Sequence, residues 1–264
     1  MILWVDGTHD AAENMRRDAH LLEAAENGAE PVMRLFGFSP PGITLGLNQD
    51  PGRELDLARC AADRVCWALR PTGGRAIFHA EEWTYALAAP MADPAWGGSQ
   101  TAAYERVSGL LVASLRRLGI PASLARRRRR VPADGPRGAS APATPCFASA
   151  ARHEVVLDGR KLIGSAQRRT RGALLQQGSL LLGDGHLRLA DYLPLPAYRR
   201  VSVRDALGRA TRNAGRWLGA DAPLDRWAEA LMSELPAGSG RLDGATGAFL
   251  LTVRNRASYT TWLS

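Results

Sequence analysis

The stretch HEVVLDGRKLIGSAQRR, residues 153–169, contains Lys161, the single lysine in a chain of 264 residues with 33 arginines. Its Asp158-Gly159 pair stands between two runs of β-prone residues, which predicts a two-residue type I′ hairpin. In that register Val156 pairs with Lys161, and the period of two places Lys161 on the same strand face as Glu154. Apolar residues occur on both faces, so the sequence predicts a strand pair inside a packed sheet, with Lys161 partly removed from water.

Lys161 is a candidate catalytic residue because every other lysine-or-arginine position of the chain is arginine. Arginine stays protonated, whereas a desolvated lysine can lose or donate a proton, or hold a carbonyl as a compact charge. Cys146 lies upstream, in the loop before the hairpin, and a loop cysteine near a cation is a usual setting for a thiolate nucleophile. The alternatives are a lysine retained by chance and a cysteine that only packs.

A second candidate site is the string RPTGGRAIFH, residues 70–79. Gly73 and Gly74 allow a tight turn and a close approach of the backbone to a ligand, and their amide groups could hold an oxyanion or a carbonyl oxygen. An ordinary hairpin turn is the alternative for the two glycines. His79 could equally be a hydrogen-bonded structural histidine.

The remaining sequence predicts strands and amphipathic helices in mixed order. Strands are predicted at residues 2–5, 32–38, 43–47, 66–69, 75–79, 84–89 and 173–182. Helices are predicted at residues 11–27, 54–65, 103–118, 204–218 and 224–235.

The composition narrows the function classes. Hydrophobic content of 45% and charged content of 23% are those of an ordinary globular protein. The net charge of +8 favours an acidic partner, and the arginine run 126–130 fits either a solvated stretch or a docking site for such a partner. Aromatic residues do not interleave with basic ones, so we expect no nucleic-acid partner.

The cysteine count and the apolar pattern add further expectations. Three cysteines are too few for a disulfide framework, which fits a reducing compartment. Cys60 and Cys66 are interpreted as packing residues, and no metal site is predicted. The start of the sequence lacks a basic segment followed by an apolar one, and no apolar run is long enough to span a bilayer. We therefore expect a cytoplasmic protein without a membrane partner.

Taken together, these strings resemble the biotin/lipoate protein ligase superfamily, and within it the octanoyltransferases that act on lipoyl carrier proteins. The resemblance covers nearly the whole chain. It implies an α+β fold with a mixed, largely antiparallel sheet flanked by helices, as in class II aminoacyl-tRNA synthetases and biotin–lipoate ligases. Residues 1–200 would form the catalytic domain, and residues 201–264 a short helical C-terminal extension packed on it. The resemblance is carried by residues 13–15, 18, 38–41, 45–46, 49, 70–79, 146–147, 159–167 and 175–179.

The resemblance also implies a mechanism. Cys146 would attack the octanoyl thioester of acyl carrier protein, and Lys161 would bind the acyl carbonyl and help to move protons. The target lysine of a lipoyl domain, of the glycine-cleavage H protein type, would then take the acyl group. No cofactor and no metal would be needed, and we expect a monomer. The implied acyl pocket is formed by Arg70, Gly73, Gly74, His79, Gly164 and Gln167.

The chain departs from the pattern of that group at two positions, of which the first bears on substrate preference and neither is expected to remove the activity. The group often has a second arginine before Arg70, where this chain has Leu69, and it commonly reads Gln-His-Gly, where this chain has Gln177 as the middle residue.

Several alternatives stay open on the sequence. An ATP-dependent lipoate–protein ligase would use ATP and magnesium, although such ligases favour a third glycine where this chain has Arg75. An amidotransferase that moves octanoyl between lipoyl domains would share the cysteine chemistry. A non-catalytic carrier-binding homologue and a Cys–His hydrolase are the alternatives from other classes.

Overall fold

The computed structural model describes residues 1–125 and 154–244. The strands in these ranges are β1 (Ile2–His9), β2 (Val32–Phe38), β3 (Gly42–Leu45), β4 (Cys66–Leu69), β5 (Ile77–His79), β6 (Glu82–Pro90), β7 (Ser123–Leu124), β8 (Val155–Leu157), β9 (Arg160–Lys161), β10 (Ile163–Arg169), β11 (Ala173–Leu181) and β12 (Gly240–Asp243). The helices are α1 (Ala11–Glu26), α2 (Pro51–Glu54), α3 (Leu57–Ala62), α4 (Gln100–Arg117), α5 (Ala197–Ala210), α6 (Gly215–Leu218) and α7 (Asp225–Met232), with a 3₁₀ helix at Gly185–Tyr192.

A six-stranded sheet with the order β10-β11-β6-β2-β1-β12 forms the centre of the molecule. Strands β10, β11, β6 and β2 pair antiparallel, whereas β1 pairs parallel with β2 and β12. One face packs on α4 and α7 around Tyr85 and Trp227, and the other packs on α1 around Met15 and Phe36. Two three-stranded sheets, β4-β3-β5 and β7-β8-β9, complete the described part. The predicted fold class, α+β with a mixed, largely antiparallel sheet flanked by helices, is confirmed.

The predicted hairpin around Lys161 is also confirmed. Val156 pairs with Lys161 and Leu157 with Arg160. Asp158 and Gly159 have φ angles of 50° and 70°, the positive values that a type I′ turn requires at both central positions. The run does not continue as one strand, because β9 ends at Lys161 and β10 begins at Ile163 in the large sheet.

Two predicted helices are wrong in extent. The segment 54–65 contains only the last residue of α2 and then a second short helix, α3, because the Asp56 side chain accepts from the Arg59 amide at 3.0 Å and begins a new helix there. The segment 204–218 is likewise interrupted. Its first helix begins at Ala197, directly after Pro196, and ends before Thr211, whose backbone forms a β-bridge with Lys161.

The C-terminal segment contains a strand as well as helices. Residues Gly240–Asp243 add β12 to the edge of the large sheet, parallel to β1. Helix α5 runs across residues 200 and 201, where the sequence predicted the end of the catalytic domain. Three predicted features lie outside the described residues: Cys146, the arginine run 126–130 and the end of the extension at 245–264.

A buried ion cluster fastens α1 to the sheet. Arg34 on β2 is fully buried and donates through Nε to Asp6 at 2.8 Å and through Nη1 to Asp18 at 2.6 Å. Its Nη2 donates to Asn14 Oδ1 at 2.6 Å, and its guanidinium lies 3.8 Å from the centre of the Phe36 ring. Because two buried carboxylates surround one planar cation, this contact fixes how α1 lies on the sheet.

The described residues contain no helix that is both long and apolar enough to cross a membrane. Nor do they bring three or more histidine, cysteine, aspartate or glutamate side chains together in a metal-binding arrangement.

Candidate active site

A cavity with about 380 Å³ of empty space opens where β10 and β11 meet α1, β3, β5 and the loop at residues 70–75. This figure includes space that is open to solvent. Three of the residues that the sequence assigned to the acyl pocket line it, namely Arg70, His79 and Gly164. The other lining residues are Met15, Phe38, Thr44, Thr72, Ile77, Thr84, Ser165, Ala166, Gln177, Gly178 and Ser179.

Arg70 holds the loop that carries the two glycines. It is 4% exposed, and its Nη2 donates to the Gly73 carbonyl at 2.9 Å and to the Arg75 carbonyl at 2.8 Å. Its Nη1 reaches the carbonyl and the hydroxyl of Thr44 on β3, each at 3.3 Å. The guanidinium therefore closes the turn and ties it to the strand that forms one cavity wall.

The two glycines of this turn directly follow the lining residue Thr72 in the chain, and neither of them lines the cavity. Gly74 has a φ of 103°, a conformation that side chains other than that of glycine rarely adopt. Its backbone also packs against Gly46, where a Cβ atom would collide with the Gly74 carbonyl. Gly73 contributes its carbonyl to Arg70, and a Cβ atom at Gly73 would meet nothing within 4 Å, so the need for glycine is shown at Gly74 and Gly46.

His79 is held in the wall by contacts on each side of its ring. Its Nδ1 donates to Glu82 Oε1 at 2.6 Å, and its Nε2 lies 2.7 Å from the Thr44 hydroxyl. Phe38 stacks on the ring with centroids 3.9 Å apart and planes 9° from parallel. Glu82 was not predicted, although a glutamate two residues before Thr84 in a strand that is otherwise apolar was a usable signal.

A second hydrogen-bonded chain connects the cavity to the buried ion cluster. The Thr72 hydroxyl donates to Gln177 Oε1 at 2.8 Å, and Gln177 donates in turn to the carboxylate of Asp18. Burial raises the pKa of Asp18, while the charge of Arg34 acts in the opposite direction. Gln177, one of the two departures noted in the sequence, thus joins the glycine-rich loop to α1.

Gln167 lies on the opposite face of the sheet from the cavity. Gln167 pairs across the ladder with Gln176, whereas the next residue of β11, Gln177, points the other way and lines the cavity. There it donates to Gln176 at 3.1 Å, and Gln176 donates to the Tyr85 hydroxyl at 3.0 Å. Burial raises the pKa of Tyr85 to about 12. The structure does not bring Gln167 together with the other predicted pocket residues.

Lys161 is buried, with 3% of its surface exposed, and its Nζ donates to Glu154 Oε1 at 2.6 Å. This contact confirms the prediction that the two side chains share a strand face. Among the described residues, those that line the cavity do not include Lys161. The negative charge of Glu154 also contributes, as a smaller cause than burial, to the raised pKa of Tyr85.

The cavity has polar residues in its walls but an almost entirely apolar inner surface. The side chains of Thr44, Arg70, Thr72 and His79 all hydrogen-bond to protein groups in the walls. Their carbon atoms are left to face the interior. A space of this kind suits an alkyl chain, because an apolar ligand loses no hydrogen bond on entering it and leaves no buried polar group unpaired.

Comparison with known proteins agrees with this geometry. A model of the lipoyl protein ligase A/B catalytic domain matches residues 10–235. The octanoyltransferase LipM of Kyrpidia tusciae is 39% identical over 205 residues, which cover 77% of this chain and 72% of that protein. The octanoyltransferase LipM of Bacillus subtilis is 31% identical over 211 residues, which cover 78% and 73%.

Solved structures share the fold at low identity. One is the bipartite lipoate protein ligase of Thermoplasma acidophilum, described with its E2 lipoyl domain. It has a TM-score of 0.66 and 18% identity, over 94% of this chain and 89% of that chain. A lipoate-protein ligase A bound with ATP has a TM-score of 0.63 and 19% identity, over 96% and 93%. The structures confirm the predicted fold, and the sequence matches show that the chain belongs to the lipoyl protein ligase A/B catalytic-domain family, within its octanoyltransferase LipM group.

Proposed function

We propose that this protein moves an octanoyl group from acyl carrier protein, through a thioacyl intermediate on Cys146, to the target lysine of a lipoyl domain. The observation that carries the proposal is the cavity beside the 70–79 loop, whose polar wall groups are hydrogen-bonded away from an apolar interior. Such a space accommodates an unbranched acyl chain. The LipM relatives, which are octanoyltransferases, support the choice of chain.

The first step exchanges one thioester for another. The Cys146 sulfur forms a bond to the thioester carbonyl carbon, and the bond from that carbon to the sulfur of the carrier's prosthetic group breaks. The carrier leaves as a thiol after taking up a proton. Because both thioesters have similar energies, the step needs no ATP, and a cysteine suits it better than a hydroxyl nucleophile.

The second step makes an amide. The amine of the acceptor lysine forms a bond to the acyl carbon, the bond to the Cys146 sulfur breaks, and one proton leaves the nitrogen. Lys161 is the residue proposed to hold the acyl carbonyl and to pass protons in both steps. Its burial and its contact with Glu154 support this role, because a compact ammonium paired to a carboxylate can exchange a proton locally.

The two carriers are the proposed partners. Acyl carrier proteins and lipoyl domains are usually acidic, and the net charge of +8 favours their approach by electrostatic steering. The protein acts here as a cytoplasmic monomer without metal or cofactor.

The test follows the modification of a lipoyl domain by mass spectrometry with two alternative donors. We expect octanoylation of the target lysine with octanoyl-acyl carrier protein in the absence of ATP. We expect none with free octanoate, whether or not ATP and magnesium are present. Cys146→Ser should abolish the reaction, and Cys66→Ser should leave it unchanged, because Cys66 packs at the edge of the sheet formed by β3, β4 and β5. Modification only with free acid plus ATP would overturn the proposal in favour of a ligase.

A further inference from the structure

Glu82, at the first position of β6, accepts hydrogen bonds from three side chains that line the cavity. Its Oε1 receives the His79 Nδ1 hydrogen at 2.6 Å, the Thr84 hydroxyl at 2.7 Å and the Ser179 hydroxyl at 2.8 Å. The Glu82 carboxylate is itself 1% exposed. Within the described residues its other oxygen, Oε2, has no hydrogen-bond partner. All three donors therefore converge on one oxygen of one buried carboxylate.

The strand geometry explains why the three donors meet there. Glu82 and Thr84 lie two residues apart on β6 and share a face, and Ser179 on β11 pairs with Thr84 across the ladder. His79 comes from the end of β5, three residues before Glu82. All three donors also line the cavity.

The hydrogen bonds also fix how His79 is protonated. A carboxylate only accepts, so the hydrogen that His79 shares with Glu82 belongs to Nδ1. The Thr44 hydroxyl accepts from Arg70 Nη1 at 3.3 Å and can therefore donate its own hydrogen to His79 Nε2. The network assigns His79 to the Nδ1–H form, with no ring hydrogen directed into the cavity.

We propose that Glu82 is a positioning residue that determines the specificity of the acyl cavity. By accepting from His79, Thr84 and Ser179, it turns their polar hydrogens away from the interior. The cavity then takes an unsubstituted alkyl chain and rejects a chain of the same length that bears a polar end. The inference rests on the proposed function, because it concerns the acyl chain which that function transfers.

The test measures kcat/KM for octanoyl-acyl carrier protein and for ω-hydroxyoctanoyl-acyl carrier protein, and takes their ratio. We expect wild-type protein to prefer the unsubstituted chain by roughly 100-fold, the scale on which apolar pockets reject an added hydroxyl. Glu82→Gln keeps an acceptor oxygen at the Oε1 position, so its ratio of the two kcat/KM values should stay within about threefold of the wild-type ratio. Glu82→Leu removes the acceptor, and its ratio should fall by at least about tenfold.

A compensated variant separates positioning from a general loss of structure. Thr84→Val and Ser179→Ala remove two of the donors, and His79 can then donate through Nε2 to Thr44. Added to Glu82→Leu, these changes should restore the preference to about its wild-type value. A ratio measured on one protein preparation does not depend on the fraction that is folded. A Glu82→Leu variant with the wild-type preference, or a compensated variant without recovery, would overturn the inference.

Nitrogen NMR of the histidine side chains shows which ring nitrogen of His79 carries hydrogen, and it tests the role of Glu82 even if the Glu82→Leu variant does not fold. The chain has five histidines, so the His79 signals can be assigned by their loss in His79→Gln. Wild-type protein should show hydrogen on Nδ1 of His79, and a ring with hydrogen on Nε2 alone would overturn the inference. Absence of transfer from either thioester would refute the proposed function instead, and the NMR result would still stand for Glu82.

Discussion

Two buried cations, Arg34 and Lys161, differ in their chemistry and in their surroundings. Arg34 is fully buried at the centre of the large sheet, and its hydrogens go to Asp6, Asp18 and Asn14 in fixed directions. Lys161 is 3% exposed in a strand of two residues, and its contact with Glu154 joins two flexible side chains. A planar guanidinium suits a fixed clamp, whereas a compact ammonium can change partner and give up a proton. This difference supports the proposal that Arg34 is structural and that Lys161 takes part in the chemistry.

Replacing Lys161 with arginine should have the largest effect on the rate of octanoyl transfer. Lys161→Arg keeps the charge but brings a larger group that stays protonated, so we expect kcat/KM for octanoyl transfer to fall by about 100-fold or more. The rate should be measured below the melting temperature of both proteins.

Arg160→Lys is the matched control, because the neighbouring residue of the same hairpin is partly exposed. It should retain the wild-type rate. If Lys161→Arg were also as fast as wild type, Lys161 would be a structural cation like Arg34, and the proposed difference in role between the two residues would be wrong.

The reciprocal exchange should affect stability instead of rate. In Arg34→Lys the ammonium cannot reach both carboxylates and Asn14, and each hydrogen bond lost from a charged group costs about 1.5–3 kcal/mol. We expect the free energy of unfolding in urea to fall by about 3 kcal/mol. The kcat of the folded protein should remain within a few-fold of wild type. Loss of activity without loss of stability would assign Arg34 a role in the reaction, and the proposed difference between Arg34 and Lys161 would be wrong.

An exposed ion pair on α1 contributes much less to stability than the two buried cations. The hydrogen bond from Arg16 lowers the pKa of Glu13 to about 2 from 4.5, with a further contribution from Arg17. Because the folded-state pKa is the lower one, the stabilisation is complete above pH 4.5 and is lost as the pH falls towards 2. Arg16 is 54% exposed, so solvent screening keeps the contribution below about 1 kcal/mol.

Thermal unfolding of Glu13→Gln measures this contribution of the Glu13 charge to stability. The variant should melt slightly below wild type at pH 7, and the difference should vanish as the pH approaches 2. Glu26→Gln, at the exposed end of the same helix, is the control and should match wild type at both pH values. A difference that persisted at low pH would show that the Glu13 charge is not its source.

The features that sequence analysis predicted correctly depend on neighbouring residues. The Asp158-Gly159 turn sets the register of its hairpin, and that register places Lys161 on the same face as Glu154. The 70–79 string predicted a tight turn at the site, and the structure has that turn directly after the lining residue Thr72. Local backbone preference suffices for each of these features.

The features that were missed depend on distant residues. The convergence of Ser179 and His79 on Glu82 requires β11 and β5 to lie on each side of β6. The face occupied by Gln167 depends on which side of the large sheet carries α1. Strand β12 pairs with β1 from the other end of the chain. Periodicity within one segment contains none of this information.

We propose that the acyl group passes through Cys146, and the intact mass of the protein would reveal this intermediate. Wild-type protein, Lys161→Arg and Cys146→Ser are each mixed with octanoyl-acyl carrier protein, without ATP and without a lipoyl domain. We expect the mass of one added octanoyl group on wild type, slow appearance of the same adduct on Lys161→Arg, and none on Cys146→Ser. An unmodified wild-type protein that nevertheless octanoylates a lipoyl domain would show that the acyl group does not pass through Cys146.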